Sequence, residues 1–142
     1  MSSERLQRVV RYWETLDLAA VERIGEVYAE SASFRDPFND VQGIDRLRPI
    51  FADMFERLIE PRFIIRETLE QGDAAFLVWD FTFRVRALEP SRLRTIHGGT
   101  HLKFAPDGRV AMHRDYWDAA GELYEQLPLV GTLMRYLKRR MG

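Results

Sequence analysis

Residues 95–117 read TIHGGTHLKFAPDGRVAMHRDYW, two extended segments around a tight turn. Pro106 pre-sets φ at the second turn position, Asp107 tolerates the third, and Gly108 takes the left-handed one. The flanking runs alternate too strongly for helix and have ordinary strand length. All three histidines of the chain (His97, His101 and His113) fall in this hairpin, with Asp115 among apolar and aromatic neighbours and Gly98 beside Gly99. Strand interiors disfavour both glycine and imidazole, so a hairpin that uses them is expected to line something.

The chain of 142 residues, 46% of them hydrophobic, fits one domain over residues 1–142 with one core. No 18-residue uncharged run is available to cross a bilayer, and MSSERLQRVV lacks the apolar core of a secretory signal. Cysteine is absent, which excludes disulfides and thiolate chemistry and fits a cytoplasmic location. A net charge of −1 argues against a general grip on nucleic acid.

Working outward from the hairpin, Ser3 caps a first helix whose apolar positions Leu6, Val9, Val10, Trp13 and Leu16 follow the helical period, with Tyr12 at the edge of the stripe. A second short helix carries Val21, Ile24, Val27 and Tyr28. Ser33 to Asp36 reads as a short extended piece, because the residue before Pro37 is pushed out of the α region. Phe34 and Asp36 share one face of it. A third helix bears Ile44, Leu47, Phe51, Met54, Phe55 and Leu58, with a kink or split expected at Pro49.

Beyond Pro61 the period changes. Phe63–Leu69 and Ala74–Arg86 read as strands joined at Gln71-Gly72-Asp73. The second has Leu77, Trp79, Phe81, Phe83 and Val85 on one face and Phe76, Val78, Asp80, Thr82 and Arg84 on the other. It is expected to be central and covered on both sides. The tail from Ala119 to Arg140 is helical in composition, interrupted near Pro128 and Gly131, with Leu123, Leu127, Val130, Met134 and Leu137 on one side. Its basic end, Arg135, Lys138, Arg139 and Arg140, suits a helix that closes a pocket or clasps a partner; contact with a membrane surface is the less favoured reading. Helices first, then a meander of strands, then a helix make an α+β fold with helices on one face of an antiparallel sheet.

Several side chains carry possible chemistry. Asp36, beside Phe34 at the mouth of a loop, reads either as a proton acceptor or as a turn-capping aspartate before proline. His97 and His101 lie on one strand face roughly 13 Å apart, at ~3.3 Å per residue, too far to share an ion. Pairing Ala105 with Arg109 and continuing without irregularity sets His101 opposite His113, but no third ligand or HExxH motif accompanies them, so no metal is expected. His113, Asp115 and Trp117 share a face. They suit either the orientation of a polar group in an apolar cup or a purely structural network. Dinucleotide, phosphate-loop and nucleophile-elbow motifs are absent.

Taken together, RYWETLDLAAVERIGEVYAESASFRDPF (11–38), the glycine-led third helix, EQGDAAFLVWDFTF (70–83) and THLKFAPDGRVAMHRDYWD (100–118) give the chain a familiar order. It resembles the nuclear-transport-factor-2-like superfamily, and within it the SnoaL-like polyketide cyclase and ketosteroid isomerase branch. The resemblance implies a cone: a bent antiparallel sheet wrapped around the N-terminal helices, a deep apolar pocket, and a homodimer through the outer sheet face. In ketosteroid isomerase a tyrosine and a protonated aspartic acid form an oxyanion hole opposite a carboxylate base. Carried over by position, the tyrosine falls on Tyr12, the base on Asp36, and the strand acid on Thr100, a weaker donor. His113 and Asp115 fall on pocket positions as further catalytic candidates, His113, tuned by Asp115, donating in part for what Thr100 cannot supply, with Trp13, Phe34, Phe55, Thr100 and Trp117 as further lining. Facing Thr100 into the pocket requires a bulge in the hairpin. Two functions follow: a cofactor-free isomerase or cyclase moving a proton on a small, mostly apolar polyketide-like or steroid-like molecule, or a non-catalytic ligand-binding or protein-interaction module.

Overall fold

A computed structural model describes residues 2–122 and 139–140. Ser3 caps α1 (Glu4–Glu14), its hydroxyl accepting from the Leu6 N–H, and α1 buries Leu6, Val9 and Trp13. Asp17 caps the short α2 (Leu18–Val21) in the same way through the Ala20 N–H. A 3₁₀ turn at Ile24–Glu26 follows, then β1 (Tyr28–Arg35), β2 (Asp40–Gln42), α3 (Ile44–Arg57), β3 (Leu58–Gln71), β4 (Ala74–Val85), β5 (Arg94–Phe104), β6 (Val110–Trp117) and α4 (Ala119–Glu122). The rest of the expected tail helix, with Leu123 to Lys138, lies outside the described residues.

The six strands form one curved sheet in the order β2-β1-β6-β5-β4-β3, with α1 and α3 on its inner face. It is antiparallel except where β1 runs parallel to β6, setting Phe34 beside His113. The core fills the space between helices and sheet, drawing Phe51 from α3, Tyr28 and Phe34 from β1, and Leu77, Trp79, Phe81 and Phe83 from β4. The fold is the expected α+β cone.

Several local expectations change. Val27 and Tyr28 are not helical: the 3₁₀ turn ends at Glu26, and Tyr28 opens β1 opposite Val110. A long-range partner for the backbone outweighs a short helix weakened by Gly25. The extended piece foreseen at Ser33–Asp36 is the end of that strand. Helix α3 runs unbroken through Pro49. Proline there forfeits only the bond to the Asp45 carbonyl, on an exposed turn, while Leu47 and Phe51 anchor the helix in the core. Strand β3 begins before Pro61, at Leu58. Glu60 (φ 50°) and Pro61 occupy a bulge on this edge strand, the position where a sheet tolerates proline.

Strand β4 lies one place in from that edge, and only its inner face is buried; Val78 on the other face is 37% exposed. In the hairpin, Ala105 and Arg109 pair as the turn demands, but the register then slips by one at Ala111. His113 therefore faces Leu102, not His101, and Thr100 faces Asp115. This slip is the bulge that turns Thr100 to the inner side.

Candidate functional site

The bulge at Ala111 decides the site, because it brings Thr100, His113 and Asp115 to one face. His113, 3% exposed, lies between the rings of Phe34, Tyr28 and Trp13, at centroid distances of 4.7, 5.8 and 5.5 Å. Its Nε2 is 2.6 Å from Asp115 Oδ1 and its Nδ1 2.7 Å from the Tyr28 hydroxyl. Thr100 donates to the same Asp115 oxygen at 2.6 Å. Each arm of this network ends on an indole: Trp13 Nε1 donates to the Tyr28 oxygen at 2.9 Å, and Trp79 Nε1 to Thr100 Oγ1 at 2.8 Å. Asp115 Oδ2 has no hydrogen-bond partner among the described residues.

The two adjacent glycines make this packing possible. A Cβ on Gly98 would lie 2.6 Å from Cη2 of Trp79, and one on Gly99 would lie 2.6 Å from the Phe76 ring. Trp79 thus rests on the inner side of β5 and Phe76 on its outer side. What the glycines line is the pair of rings from the neighbouring strand.

Trp13, Phe63, Ile65, Leu77 and Trp79 wall a small space above Thr100, His113 and Asp115. It offers ≈ 10 Å³ to the centre of a water molecule, room for about one. The apolar cup is therefore filled largely by the chain's own aromatic rings. Wider depressions lie elsewhere and open to solvent: one beside the hairpin turn, and one of ≈ 800 Å³ on the outer sheet face at Leu69, Phe76, His101 and Tyr116.

The structure brings together His113, Asp115, Thr100, Trp13 and Phe34. It places the remaining candidates differently. Tyr12 donates its hydroxyl to the Ala20 carbonyl at 2.9 Å, and burial raises its phenol to about 12. Asp36 follows directly on the end of β1, where its carboxylate accepts from the N–H groups of Phe38 and Asn39 at 2.8 and 2.7 Å and from the Asn39 amide. That is the turn-capping arrangement. Phe55 packs at the edge of the core, while Phe51, one helical turn earlier, contacts Trp13 and Tyr28. Trp117 stands edge-on to Phe38, beside the mouth and outside the small space.

Two side chains of this network are not legible as such in the sequence. Tyr28 is fully buried, and burial holds its phenol well above the ordinary value. Trp79 read only as apolar filling. The available signal was the indole itself, since a buried N–H needs an acceptor, and Thr100 is the polar side chain within reach on the adjoining strand.

His97 and His101 stand on the outer face. His97 pairs with Asp80, which also binds Arg66 Nε at 2.8 Å; the His97 and Arg66 hydrogen bonds lower the Asp80 carboxyl below its ordinary range. Among the described residues no three metal-ligating side chains converge, and no helix is long and apolar enough to cross a membrane.

A model of the SnoaL-like domain matches residues 8–113, from α1 to the site histidine. A protein with a ketosteroid isomerase-like fold from Catenulispora acidiphila, solved in complex with trimethylamine, is 13% identical over 87% of this chain and 92% of its own, with a TM-score of 0.73. Candidate SnoaL-like polyketide cyclases from Shewanella putrefaciens (18% identity, 89% of this chain and 100% of that one) and Jannaschia sp. (17%, 85% and 92%) each superpose with a TM-score of 0.70. No curated protein matches the chain.

Proposed function

Because the chain belongs to the SnoaL-like family, we propose that it takes a small, mostly apolar molecule against Asp115 and moves a proton on it, as a cofactor-free isomerase or cyclase does. The observation that carries this reading is a carboxylate that takes hydrogen bonds from His113 and Thr100 on one oxygen and lines an aromatic-walled space. Asp115 Oδ2 would take a proton from a C–H of the ligand, leaving a carbanion. Isomerisation returns that proton to a neighbouring carbon. Ring closure instead forms a C–C bond to a carbonyl carbon, whose oxygen takes the proton. The Tyr28, Thr100 and indole donors all have acceptors already, so the site favours a carbanion that the ligand stabilises by its own conjugation, such as one flanked by two carbonyls.

In this reading the proton belongs to Asp115 rather than Asp36, whose carboxylate is committed to the Pro37–Asn39 turn. Tyr12 serves packing and the Ala20 carbonyl. The ligand enters past Phe63 and Ile65, half-buried on the edge strand β3, displacing rings that now fill the cup. The protein works in the cytoplasm as a homodimer whose partner covers Leu69, Val78 and Tyr116, exposed on the outer sheet face.

A second reading is ligand binding without turnover. A carboxylate among aromatic rings suits a small amine of the kind the Catenulispora protein holds. Incubation in D₂O with a panel of 1,3-dicarbonyl compounds, including steroid-like and polyketide-like members, separates the two. Proton abstraction by the protein raises deuterium incorporation above the uncatalysed rate, and Asp115→Asn lowers that added rate at least about 100-fold, the usual contribution of a positioned base. Binding of panel members or trimethylamine with no exchange above the uncatalysed rate in any of them would establish the second reading.

A further inference from the structure

We propose that Tyr28, itself held by Trp13, is a positioning residue that fixes His113 as the Nε2–H tautomer and so keeps Asp115 the acceptor of the site. This rests on the reading of Asp115 as the proton acceptor and adds the device that orients it.

Donor directions fix the network. An indole N–H can only donate. Trp13 therefore donates to the Tyr28 oxygen, and the Tyr28 hydrogen must go elsewhere. Tyr28 is fully buried, and the other polar atom in reach is His113 Nδ1 at 2.7 Å. Nδ1 is thereby an acceptor, the ring proton sits on Nε2, and Nε2 donates to Asp115 Oδ1. From the opposite side Trp79 donates to Thr100, whose hydroxyl donates to the same oxygen. Both arms start from a group that cannot accept and end on one carboxylate oxygen, so neither arm can reverse. Reversal of the first would leave a buried tyrosine O–H without an acceptor, which disfavours that arrangement about tenfold or more. Burial also keeps the proton on the Tyr28 phenol. The tautomer is assigned from the hydrogen-bond network, and that assignment can be tested without any ligand.

The test is the ¹⁵N spectrum of histidine-labelled full-length protein at neutral pH, with the outer-face histidines assigned by His97→Gln and His101→Gln. In the unmodified protein His113 should show a protonated Nε2 and an unprotonated, hydrogen-bonded Nδ1. Tyr28→Phe keeps the ring and removes the donor, and the Nδ1–H tautomer should rise from under about a tenth of the population to a comparable share. Trp13→Phe removes only the indole donor and should shift the balance the same way by less. A His113 protonated on Nδ1 in the unmodified protein overturns the proposal, as does a tautomer balance unmoved in both variants. Should Tyr28→Phe fail to fold, the unmodified protein and Trp13→Phe still decide. Loss of the predicted tautomer together with intact deuterium exchange at Asp115 refutes the positioning role alone; the predicted tautomer without exchange in any compound refutes the catalytic reading instead.

Discussion

Replacing Gly98 by alanine tests the packing on which the site rests. The backbone there is ordinary strand, so alanine meets no conformational penalty, and restriction of the unfolded chain would by itself stabilise by about 0.4–1 kcal/mol. The added methyl, however, would lie 2.6 and 2.9 Å from Cη2 and Cζ2 of Trp79 and 3.0 Å from Cβ of Trp117. Trp79 cannot yield freely, because it is 5% exposed and its indole N–H is bound to Thr100. Overpacking of this kind costs about 1–3 kcal/mol, and loss of the Trp79–Thr100 hydrogen bond about 1 kcal/mol more. The net expectation is a destabilisation of about 2–3 kcal/mol, or roughly 5–10 °C in Tm for a chain of this size. Urea unfolding followed by tryptophan fluorescence measures it. Gly25→Ala, whose new methyl would meet only the Ile44 side chain at 3.6 Å, is the matched control and should be near neutral. Trp79→Leu makes room for the methyl, so Gly98→Ala should cost far less in that background than alone. A neutral Gly98→Ala, or full additivity with Trp79→Leu, would refute the claim that Gly98 exists to seat the Trp79 ring.

Three further outcomes are expected. The Asp80 carboxyl titrates below its ordinary 3.8, so its contribution is present above that value and is lost as pH falls through the lowered one; the acid loss of the urea midpoint should be shallower in Asp80→Asn. Tyr12 titrates at about 12 when folded against an ordinary 10, so its contribution is complete below pH 10 and is lost as pH rises toward 12. Tyr12→Phe should flatten that alkaline loss in equilibrium unfolding and leave deuterium exchange unchanged. On the outer sheet face, sedimentation at micromolar concentration should show twice the 16.7 kDa monomer mass, and Val78→Glu should halve it; a monomer at high concentration in the unmodified protein would remove the dimer from the reading.

The legible parts of this chain were those decided locally. Ser3 before an apolar period of 3.6 gave α1, and Pro106-Asp107-Gly108 between alternating runs gave the β5–β6 hairpin. His113 and Asp115 could be put on one face because two residues apart on a strand means the same side. Tyr28 was hidden for the opposite reason: its state depends on β1 lying parallel to β6, a pairing between residues more than 75 positions apart that no local pattern announces. The bulge at Ala111 was invisible to pairing arithmetic from the turn, which is why His101 rather than Leu102 was set opposite His113. Asp36 could be read two ways because its competing partners, the N–H groups of Phe38 and Asn39, are present whenever the turn closes, whatever the chain does elsewhere. Networks of donors are hardest to read in advance, since direction depends on every member being placed.

The glycine pair in β5 also gives the sheet an unusually thin point. At Gly98 and Gly99 no side chain stands on either side, and bare backbone separates the Trp79 ring within from the Phe76 ring outside. Phe76 borders the outer depression with Leu69 and Tyr116, and Trp79 holds Thr100 against Asp115. A single layer of peptide is thus all that lies between the outer depression and the indole that donates to Thr100.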